Sequence, residues 1–393
     1  MTAHDDIAAA LALLPENHSW PDRPQADDLA NLPNTPAVFL LTDAQQRPVQ
    51  LLTTRQLKRL AASRLLAASR QRSTRADLAA IVRHLHWRSV HSPFEARWYY
   101  YRLARLLYPD DYRKRIGFGP AWFLHVDFAC RPAAQIDISE RIWTRAGSFL
   151  GPWPTQRAAR DACQTLIDLF ELCREPEQLR RVPHGRRCSY ADMGRCDAPC
   201  DGSVPTSAYA ERVARAWRFA AGECEPLIVE LEQRMRRAAR ELRFEQAAVL
   251  KQQLEQARQW QRRWAGRVVS AEQMAWLLVV PAARRKAVKP FVFRCGELRE
   301  GPLIQHRRLP GELTRWAADT LSAPPGELDA VVRMEQTWLV AHFIEHRDSE
   351  GALVLRLEGG KLPAGLAGRL AEKWPTGRGA GPADDRASQS ASP

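Results

Sequence analysis

The segment VELEQRMRRAARELRFEQAAVLKQQLEQ, residues 229–256, has the apolar spacing of two helices that pack on each other. Apolar side chains recur at helical intervals on both sides of a break near Arg243. The pattern predicts two antiparallel helices with one shared apolar seam, inside a helical region over 206–265. Because a two-helix seam is too narrow to bury itself fully, it favours a partner hairpin.

Four cysteines lie upstream of this hairpin, with the spacing C-x14-C-x7-C-x3-C: Cys173, Cys188, Cys196 and Cys200. In a reducing compartment, such cysteines are metal ligands or plain thiols more often than disulfides. Thiolate sulfur suits both zinc and iron–sulfur clusters. The spacing alone does not choose, because a zinc ribbon usually has two close pairs and only Cys196 and Cys200 form one here.

The N-terminal part predicts a small mixed domain over 34–120, preceded by an extension, 1–33, with a short helix and an irregular lead-in. TPAVFLLTDAQQRPVQLLTT, residues 35–54, has two apolar runs around a polar turn, which is typical of a β-hairpin. SPFEARWYYYRLARLLY, residues 92–108, predicts a helix with Pro93 in its first turn.

The remaining segments predict further helices and strands. Residues 121–205 form a linking strand, a Gly-Pro turn at 151–152, a helix and the cysteine segment. Residues 266–360 combine strand and helix patterns, and the Gly-, Ala-, Pro- and Ser-rich region 361–393 is expected to be a disordered tail. The fold class is therefore α+β multidomain, with a small α/β domain, a helical cysteine segment, an α-helical hairpin and a C-terminal α/β region.

The charge of the chain indicates a polyanionic partner. Its 393 residues carry a formal net charge of +13. Nucleic acid is favoured over a membrane surface, because no amphipathic anchor is evident. The alternative is an arginine-rich composition without a polyanion. No segment is typical of a signal peptide or a transmembrane helix, so we expect a cytoplasmic protein without membrane contact.

Three strings resemble the UvrC family, the nuclease subunit of the bacterial UvrABC nucleotide-excision repair system. They are GPWPTQRAARDA (151–162), GRCDAPCDG (194–202) and RAARELRFEQAAVLKQQLE (237–255). The resemblance covers about residues 34 to 265 and continues more weakly to about 357. It implies that the four cysteines hold a [4Fe–4S] cluster and that the hairpin is a UVR motif that docks on UvrB. The implied docking residues are Phe244, Glu245, Ala247, Ala248 and Leu250.

The N-terminal domain departs from the GIY-YIG nuclease that the resemblance implies. The two motif tyrosines correspond to Phe39 and to Gln50, and the arginine to Arg59 with a one-residue slip. The metal-binding glutamate corresponds to Tyr100. A hard divalent cation needs oxygen ligands, and a tyrosine hydroxyl does not replace a carboxylate. We therefore expect a degenerate domain that does not cut, with Mg²⁺ or Mn²⁺ needed only if Glu95 and the tyrosines at 99–101 rebuild the site.

Basic residues of the same domain predict a DNA-facing surface: Arg55, Lys58, Arg59 and Arg64. Contacts of this type bind phosphates without sequence preference. The alternative is a solvated basic helix face.

Three functions follow from these features. The first is a non-catalytic UvrC-like repair component that binds DNA and docks on UvrB. The second is an active single-incision endonuclease similar to the short homologue Cho, and the third is a UVR-hairpin interaction protein outside repair. The sequence favours a protein that is not an enzyme. It also predicts that the second family nuclease, of the RNase H type, is missing.

Overall fold

The computed structural model describes residues 3–66, 77–130, 133–284, 286–346 and 351–375. Helices and three antiparallel sheets alternate along the chain, and a long helical hairpin lies between the second and third sheets. This confirms the α+β multidomain fold class. Within the described ranges, no helix is long and apolar enough to span a bilayer.

The N-terminal unit is a four-stranded sheet covered by helices on both faces. Its sheet has the order β1-β4-β2-β3, and the predicted hairpin at 35–54 is confirmed as β2 and β3. The elements are α1 (Ala3–Ala12), β1 (Glu16–Ser19), β2 (Ala37–Thr42), β3 (Pro48–Thr54), α2 (Leu57–Leu65), α3 (Leu78–Ile81), β4 (His84–Ser89) and α4 (Pro93–Leu107).

The extension 1–33 belongs to this unit instead of leading into it. Strand β1 pairs with β4 along the sheet edge, from Glu16 opposite Trp87 to Ser19 opposite His84. The sequence of β1, ENHS, has no apolar alternation, because an edge strand gains its stability from backbone pairing more than from side-chain burial. This is why the sequence predicts only an irregular lead-in.

Strand β2 is buried on both faces. Phe39 and Leu41 pack with Leu57 of α2, whereas Val38 and Leu40 belong to the core that contains α1 and α4. Alternate side chains of a strand point to opposite faces, so a strand with both faces covered is a continuous apolar run. Helix α4 begins as predicted, with the Ser92 hydroxyl accepting the Glu95 N–H at 3.0 Å.

His86 gives this sheet a pH-dependent stability. The side chain is 7% exposed in the middle of β4, and its Nε2 atom has no hydrogen-bond partner. Burial, with a smaller contribution from His84, lowers the pKa of His86 to about 4. The folded state therefore does not take up a proton that the unfolded chain binds near pH 6.5, so stability is complete above pH 6.5 and falls between pH 6.5 and 4.

We expect His86→Leu to remove about 2–3 kcal/mol of this acid destabilisation. Urea unfolding at pH 7.5, 6, 5 and 4 measures it. The exposed His184→Leu is the matched control and should follow the wild-type pH dependence. Parallel pH curves for wild type and His86→Leu would contradict the assignment.

The middle unit contains a second sheet with the order β6-β5-β7-β8. Its elements are β5 (Trp122–Val126), β6 (Ile136–Ser139), β7 (Ser148–Trp153), α5 (Gln156–Leu169), α6 (Pro176–Leu179) and α7 (Ser189–Asp192). The predicted turn at Gly151-Pro152 is wrong, since both residues lie in β7. A Cβ on Gly151 would lie 2.5 Å from the Phe123 ring of the neighbouring strand, so the glycine permits close strand packing.

The helical region over 206–265 is α8 (Thr206–Ala221), α9 (Glu225–Arg240) and α10 (Phe244–Trp264). Helices α9 and α10 form the predicted hairpin, with Leu231 and Leu254 among the buried residues of its seam. The Arg258–Glu232 ion pair, at 3.3 Å, joins the two helices outside the seam. Trp260 packs against Trp153 and Phe219, so the hairpin is anchored on the middle unit by its open end.

The C-terminal unit follows directly from the hairpin. Strand β8 (Val269–Ser270) joins the middle sheet by pairing with β7, and the third sheet has the order β11-β10-β9-β13, with β12 on β10. The elements are β9 (Ala275–Pro281), β10 (Ala287–Arg294), β11 (Glu297–Glu300), β12 (Ile304–Gln305), α11 (Gly311–Ser322), α12 (Ala330–His346), β13 (Leu353–Arg356) and α13 (Leu366–Lys373).

Helix α13 corrects part of the predicted tail. Residues 366–373 are helical, and Leu366 and Leu370 pack in a core with Leu313 of α11. Two leucines four residues apart in a Gly- and Ala-rich segment are a weak signal for a helix, whereas the composition of the segment predicts disorder. Residues 376–393 of the predicted tail lie outside the described residues.

Helix α12 joins the N- and C-terminal units through one core. Phe94 of α4 contacts Phe343 of α12 at a ring distance of 4.3 Å and Phe291 of β10 at 4.8 Å. Glu335 of α12 is fully buried and accepts hydrogen bonds from Tyr112 at 2.5 Å and Tyr101 at 2.9 Å. The two units are therefore packed on each other, with a buried carboxylate at the contact.

Candidate functional site

The positions that correspond to nuclease catalytic residues are dispersed. Phe39 is fully buried on the α2 side of the sheet, and Gln50 is half-buried on β3. Arg59 is exposed on α2, where its Nη1 contacts the Gln56 amide oxygen at 3.4 Å. Tyr100 is half-buried on α4, the helix that covers the opposite face of the sheet, and it lines a cavity there. Phe39 and Gln50 are on the same face of neighbouring strands, and Tyr100 is on the other side of the sheet, so the four side chains are divided between the two faces.

Glu95 and the neighbouring tyrosines have separate partners. The buried Glu95 carboxylate accepts the His91 N–H at 2.6 Å and pairs with Lys289 of β10 at 3.3 Å. The Tyr99 hydroxyl donates to Glu300 at 2.6 Å. Tyr101 donates to Glu335. Burial raises the pKa of all three tyrosines at 99–101. The run that could rebuild a nuclease site therefore binds the C-terminal unit through Tyr99 and Tyr101.

A basic cavity of about 840 Å³ lies beside Tyr100. Arg55, Arg97 and Arg115 line it, together with His91 and with backbone at Pro281–Ala283 from the C-terminal unit. Burial is the main cause of a lowered His91 pKa, which keeps the imidazole neutral close to neutral pH. The described residues that line the cavity include no carboxylate, but Arg115 is already paired with Asp111 at 2.8 Å, so Arg55 is the arginine best placed to meet an anionic ligand there.

The predicted DNA-facing residues divide into two groups. Arg55 and Arg59 are exposed, and Arg55 is also part of the cavity wall. The Lys58 ammonium donates to the Ala30 carbonyl at 2.6 Å, and Arg64 is half-buried, so both are less available to phosphates. Arg113, a further basic residue of the same domain, pairs with Glu335 at 2.8 Å.

The four cysteines are brought to one region by helices α5 and α8. Cys173 follows α5, and its backbone N–H donates to the Tyr209 hydroxyl of α8 at 3.2 Å. Cys196 and Cys200 lie in a compact loop in which Ala198, a fully buried non-glycine residue, has a left-handed φ of 52°. Strained backbone of this type persists where surrounding contacts hold it, and it is concentrated at functional sites.

Gly185 fits this loop closely. A Cβ at this position would lie 2.8 Å from the Cys200 carbonyl oxygen and 2.6 Å from that of Gln178. The backbone of residue 185 donates a hydrogen bond to the same Cys200 carbonyl at 2.9 Å. The segment between Cys173 and Cys188 is therefore folded back onto the loop that contains Cys200.

The thiols influence one another electrostatically. A hydrogen bond from Cys173 lowers the pKa of Cys196 to about 6, and the pKa of Cys173 is raised by the same contact. Burial raises the pKa of Cys200, with smaller contributions from Cys188 and Cys196. Among the residues that the structure describes, no three His, Cys, Asp or Glu side chains are grouped closely enough to hold a metal ion. The donor types match an iron–sulfur site.

Exposed arginines surround the cysteines, and the sequence analysis did not single them out. Arg181, Arg186 and Arg195 are exposed, and no acidic partner is found for them within the described ranges. The signal was present as six arginines between positions 174 and 195. They were missed because the cysteine spacing dominated the interpretation of this segment.

The hairpin tip is the most apolar exposed part of the hairpin. Leu242 is 72% exposed, Phe244 66% and Val249 57%. Glu245 and Ala248 are exposed beside them, and Ala247 is half-buried. Leu250 is 4% exposed in the seam, so any role in docking would be indirect. Leu242 also has a left-handed φ of 55°, which a leucine rarely adopts.

Comparison with known families identifies two segments of the chain. The family described as UvrC/Cho excinuclease, middle domain, matches residues 125–219, and the UvrB/uvrC motif matches residues 227–259. The first match contains the second sheet's β6 and β7, the four cysteines and α8. The second is the α9–α10 hairpin. These matches are consistent with the N-terminal half of a UvrC-family protein, as the sequence strings predicted.

Individual relatives carry the name UvrABC system protein C. One such protein of Thermus thermophilus is 30% identical over 253 residues, which is 60% of this chain and 38% of the relative. Those of Methylococcus capsulatus and Stenotrophomonas maltophilia are 39% and 38% identical over 114 and 117 residues, covering 18% and 19% of the relatives. The chain thus spans less than two-fifths of these relatives. No solved structure matches it.

Proposed function

We propose that the protein is a component of bacterial nucleotide-excision repair that binds DNA, docks on UvrB through the hairpin tip and does not cut DNA. The observation that carries the proposal is the apolar tip of a hairpin that matches the UvrB/uvrC motif. Large exposed apolar side chains at one place mark a protein-binding surface. The name of the motif refers to both UvrB and UvrC, so the expected partner is the corresponding hairpin of UvrB.

The proposal that the N-terminal unit is a degenerate GIY-YIG domain is supported by the residue types at the corresponding positions and by the placement of Tyr100 on the other face of the sheet. Phe39 has no hydroxyl and is buried away from Tyr100. The one nearby carboxylate on α4, Glu95, is neutralised by Lys289. DNA binding is supported by the net charge of +13 and by exposed arginines around the cavity and the cysteines.

An incision assay tests the proposed function. UvrB is loaded onto a damaged duplex labelled at its 3′ end, and the protein is added with Mg²⁺ or Mn²⁺. We expect no cut and a supershift of the UvrB–DNA complex. A cut on the 3′ side of the lesion that is lost in Tyr100→Phe or Glu95→Gln would instead establish a Cho-like endonuclease. If neither a cut nor a supershift is observed, the partner of the hairpin lies outside excision repair.

We further propose that Cys173, Cys188, Cys196 and Cys200 hold a [4Fe–4S] cluster. When bound, such a cluster would supply four thiolate–iron bonds that join the segment after α5, the start of α7 and the loop at 196–200. Support comes from the placement of four free thiols in one region of the middle unit and from their donor type, which suits iron.

Anaerobic purification followed by iron and sulfide analysis tests this cluster. We expect about four irons per chain in wild type and a loss of most of the iron in Cys196→Ser. Cys224→Ser is the matched control, because Cys224 is buried outside the cysteine segment, and it should keep its iron. Zinc at about one equivalent, or unchanged iron in Cys196→Ser, would reject the cluster.

A further inference from the structure

A second cavity, of about 660 Å³, lies where the middle unit, the hairpin and the C-terminal unit meet. The end of β7, the C-terminal turn of α10, helix α12 and strand β13 all contribute to its wall. Its volume is within the range of small-ligand sites. Neither the hairpin tip nor the cysteines contribute to it.

Aromatic rings form much of this wall: Trp153, Trp264, Trp276 and Trp338. The indole N–H groups of Trp153 and Trp338 already donate to backbone carbonyls, at 3.3 and 3.0 Å. Trp153, Trp276 and Trp338 are all buried, so the ring surface open to a ligand is mainly that of Trp264. Trp264 is half-buried and packs edge-on against Trp153 with a centroid distance of 4.3 Å. Aromatic surface of this type binds planar nucleobases whatever their sequence.

The charge of the cavity is positive. Arg263 and Arg267 are exposed at its rim, and the described residues provide no acidic partner for either. The Nε atom of Arg356 is buried there without a hydrogen-bond partner. Glu345 is an opposing charge at the rim. Burial lowers the pKa of His342, so this lining group is neutral near neutral pH.

We propose that this cavity binds one unstacked nucleotide of a DNA strand. The base packs against Trp264, and the flanking phosphates pair with Arg263 and Arg267. The guanidinium of Arg263 lies over one face of the Trp264 ring, 4.7 Å from its centre, so the base would take the other face and leave Arg263 to a flanking phosphate. Aromatic rings together with free arginines recognise nucleotides and do not suit a purely apolar ligand. This inference rests on the proposed DNA-binding function.

The test compares two fluorescein-labelled duplexes that differ by one bulged, unpaired thymidine. Affinities are measured at several salt concentrations for wild type and for the variants Arg263→Gln/Arg267→Gln and Trp264→Leu. We expect wild type to prefer the bulged duplex and each variant to lose about tenfold on it, with little change on the paired duplex. Arg262→Gln is the matched control. Arg262 lies in the same helical turn, but it pairs with Glu255 at 2.9 Å outside the cavity, so this variant should keep the preference.

Each other outcome has a definite meaning. Equal losses on both duplexes would show that the arginines only contact the backbone, and this would overturn the nucleotide site. So would equal binding of both duplexes by wild type. If wild type bound neither duplex, DNA binding itself would fail, and the site would fail with it. If Trp264→Leu misfolds, the Arg263→Gln/Arg267→Gln variant still tests the site. In a competition experiment, complete displacement of the DNA by free thymidine monophosphate would assign the cavity to mononucleotides instead of DNA.

Discussion

Replacing Glu335 by alanine lowers the free energy of unfolding by about 3–5 kcal/mol, because it leaves several polar groups in the core without a hydrogen-bond partner. The carboxylate is 0% exposed. It accepts from the Tyr101 and Tyr112 hydroxyls and from Arg113, with Arg105 4.0 Å away. Arg113 is half exposed, so water partly replaces its lost partner. The two tyrosine hydroxyls have no such replacement, and they account for most of the expected loss.

Urea unfolding followed by tryptophan fluorescence measures this effect. Glu345→Ala is the matched control, since it removes an exposed glutamate from the same helix and should change stability by about 0.5 kcal/mol or less. Glu335→Gln keeps one acceptor oxygen, so it should be intermediate. A loss below about 1 kcal/mol in Glu335→Ala would mean that this contact between the two units is not a stabilising one.

Replacing Phe244 by alanine weakens UvrB binding by about 30-fold without destabilising the protein. A central aromatic anchor is worth about 2 kcal/mol or more in an interface. Phe244 is 66% exposed in the free chain, so folding gains little from it. Titration calorimetry with UvrB measures the affinity. Val229→Ala is the control because Val229, 42% exposed, lies on α9 far from the turn. Wild-type affinity in Phe244→Ala would show that docking uses another surface.

A substitution at Leu242 tests the same docking surface, because stability and UvrB binding are expected to respond differently to it. Its left-handed backbone, at φ 55°, costs an ordinary residue about 1 kcal/mol, and glycine removes that cost. We expect Leu242→Gly to leave stability unchanged or slightly raised and still to weaken UvrB binding. A general structural role for the tip would move both quantities in the same direction.

The elements with strong local patterns could be predicted from the sequence. The β2–β3 hairpin has two apolar runs around a polar turn, the α9–α10 hairpin has an apolar period of about 3.6 residues, and both hairpins are confirmed. Strand β1 and helix α13 were missed because their positions depend on distant partners: β4 pairs with the first, and Leu313 packs with the second. Local composition does not carry that information.

The candidate sites show the same division. The cysteines and the hairpin tip are visible as strings, because their residues are close in sequence. The Tyr101–Glu335 contact joins residues 234 positions apart. The cavity around Trp264 likewise combines segments from Gly119 to Arg356. Such sites arise only when the units pack, so the sequence indicated the tyrosines at 99–101 without their partners and did not indicate the cavity.

The length of helix α10 fixes the distance between the two proposed contacts, the hairpin tip and the cavity. It is a single helix of 21 residues with Phe244 at one end and Trp264 at the other. At 1.5 Å per residue, these ends are about 30 Å apart. At 3.4 Å per base pair, that span corresponds to roughly nine base pairs of duplex DNA. A partner held at the tip and a nucleotide held in the cavity would therefore be kept about 30 Å apart, so the length of one helix would set the distance between the two contacts.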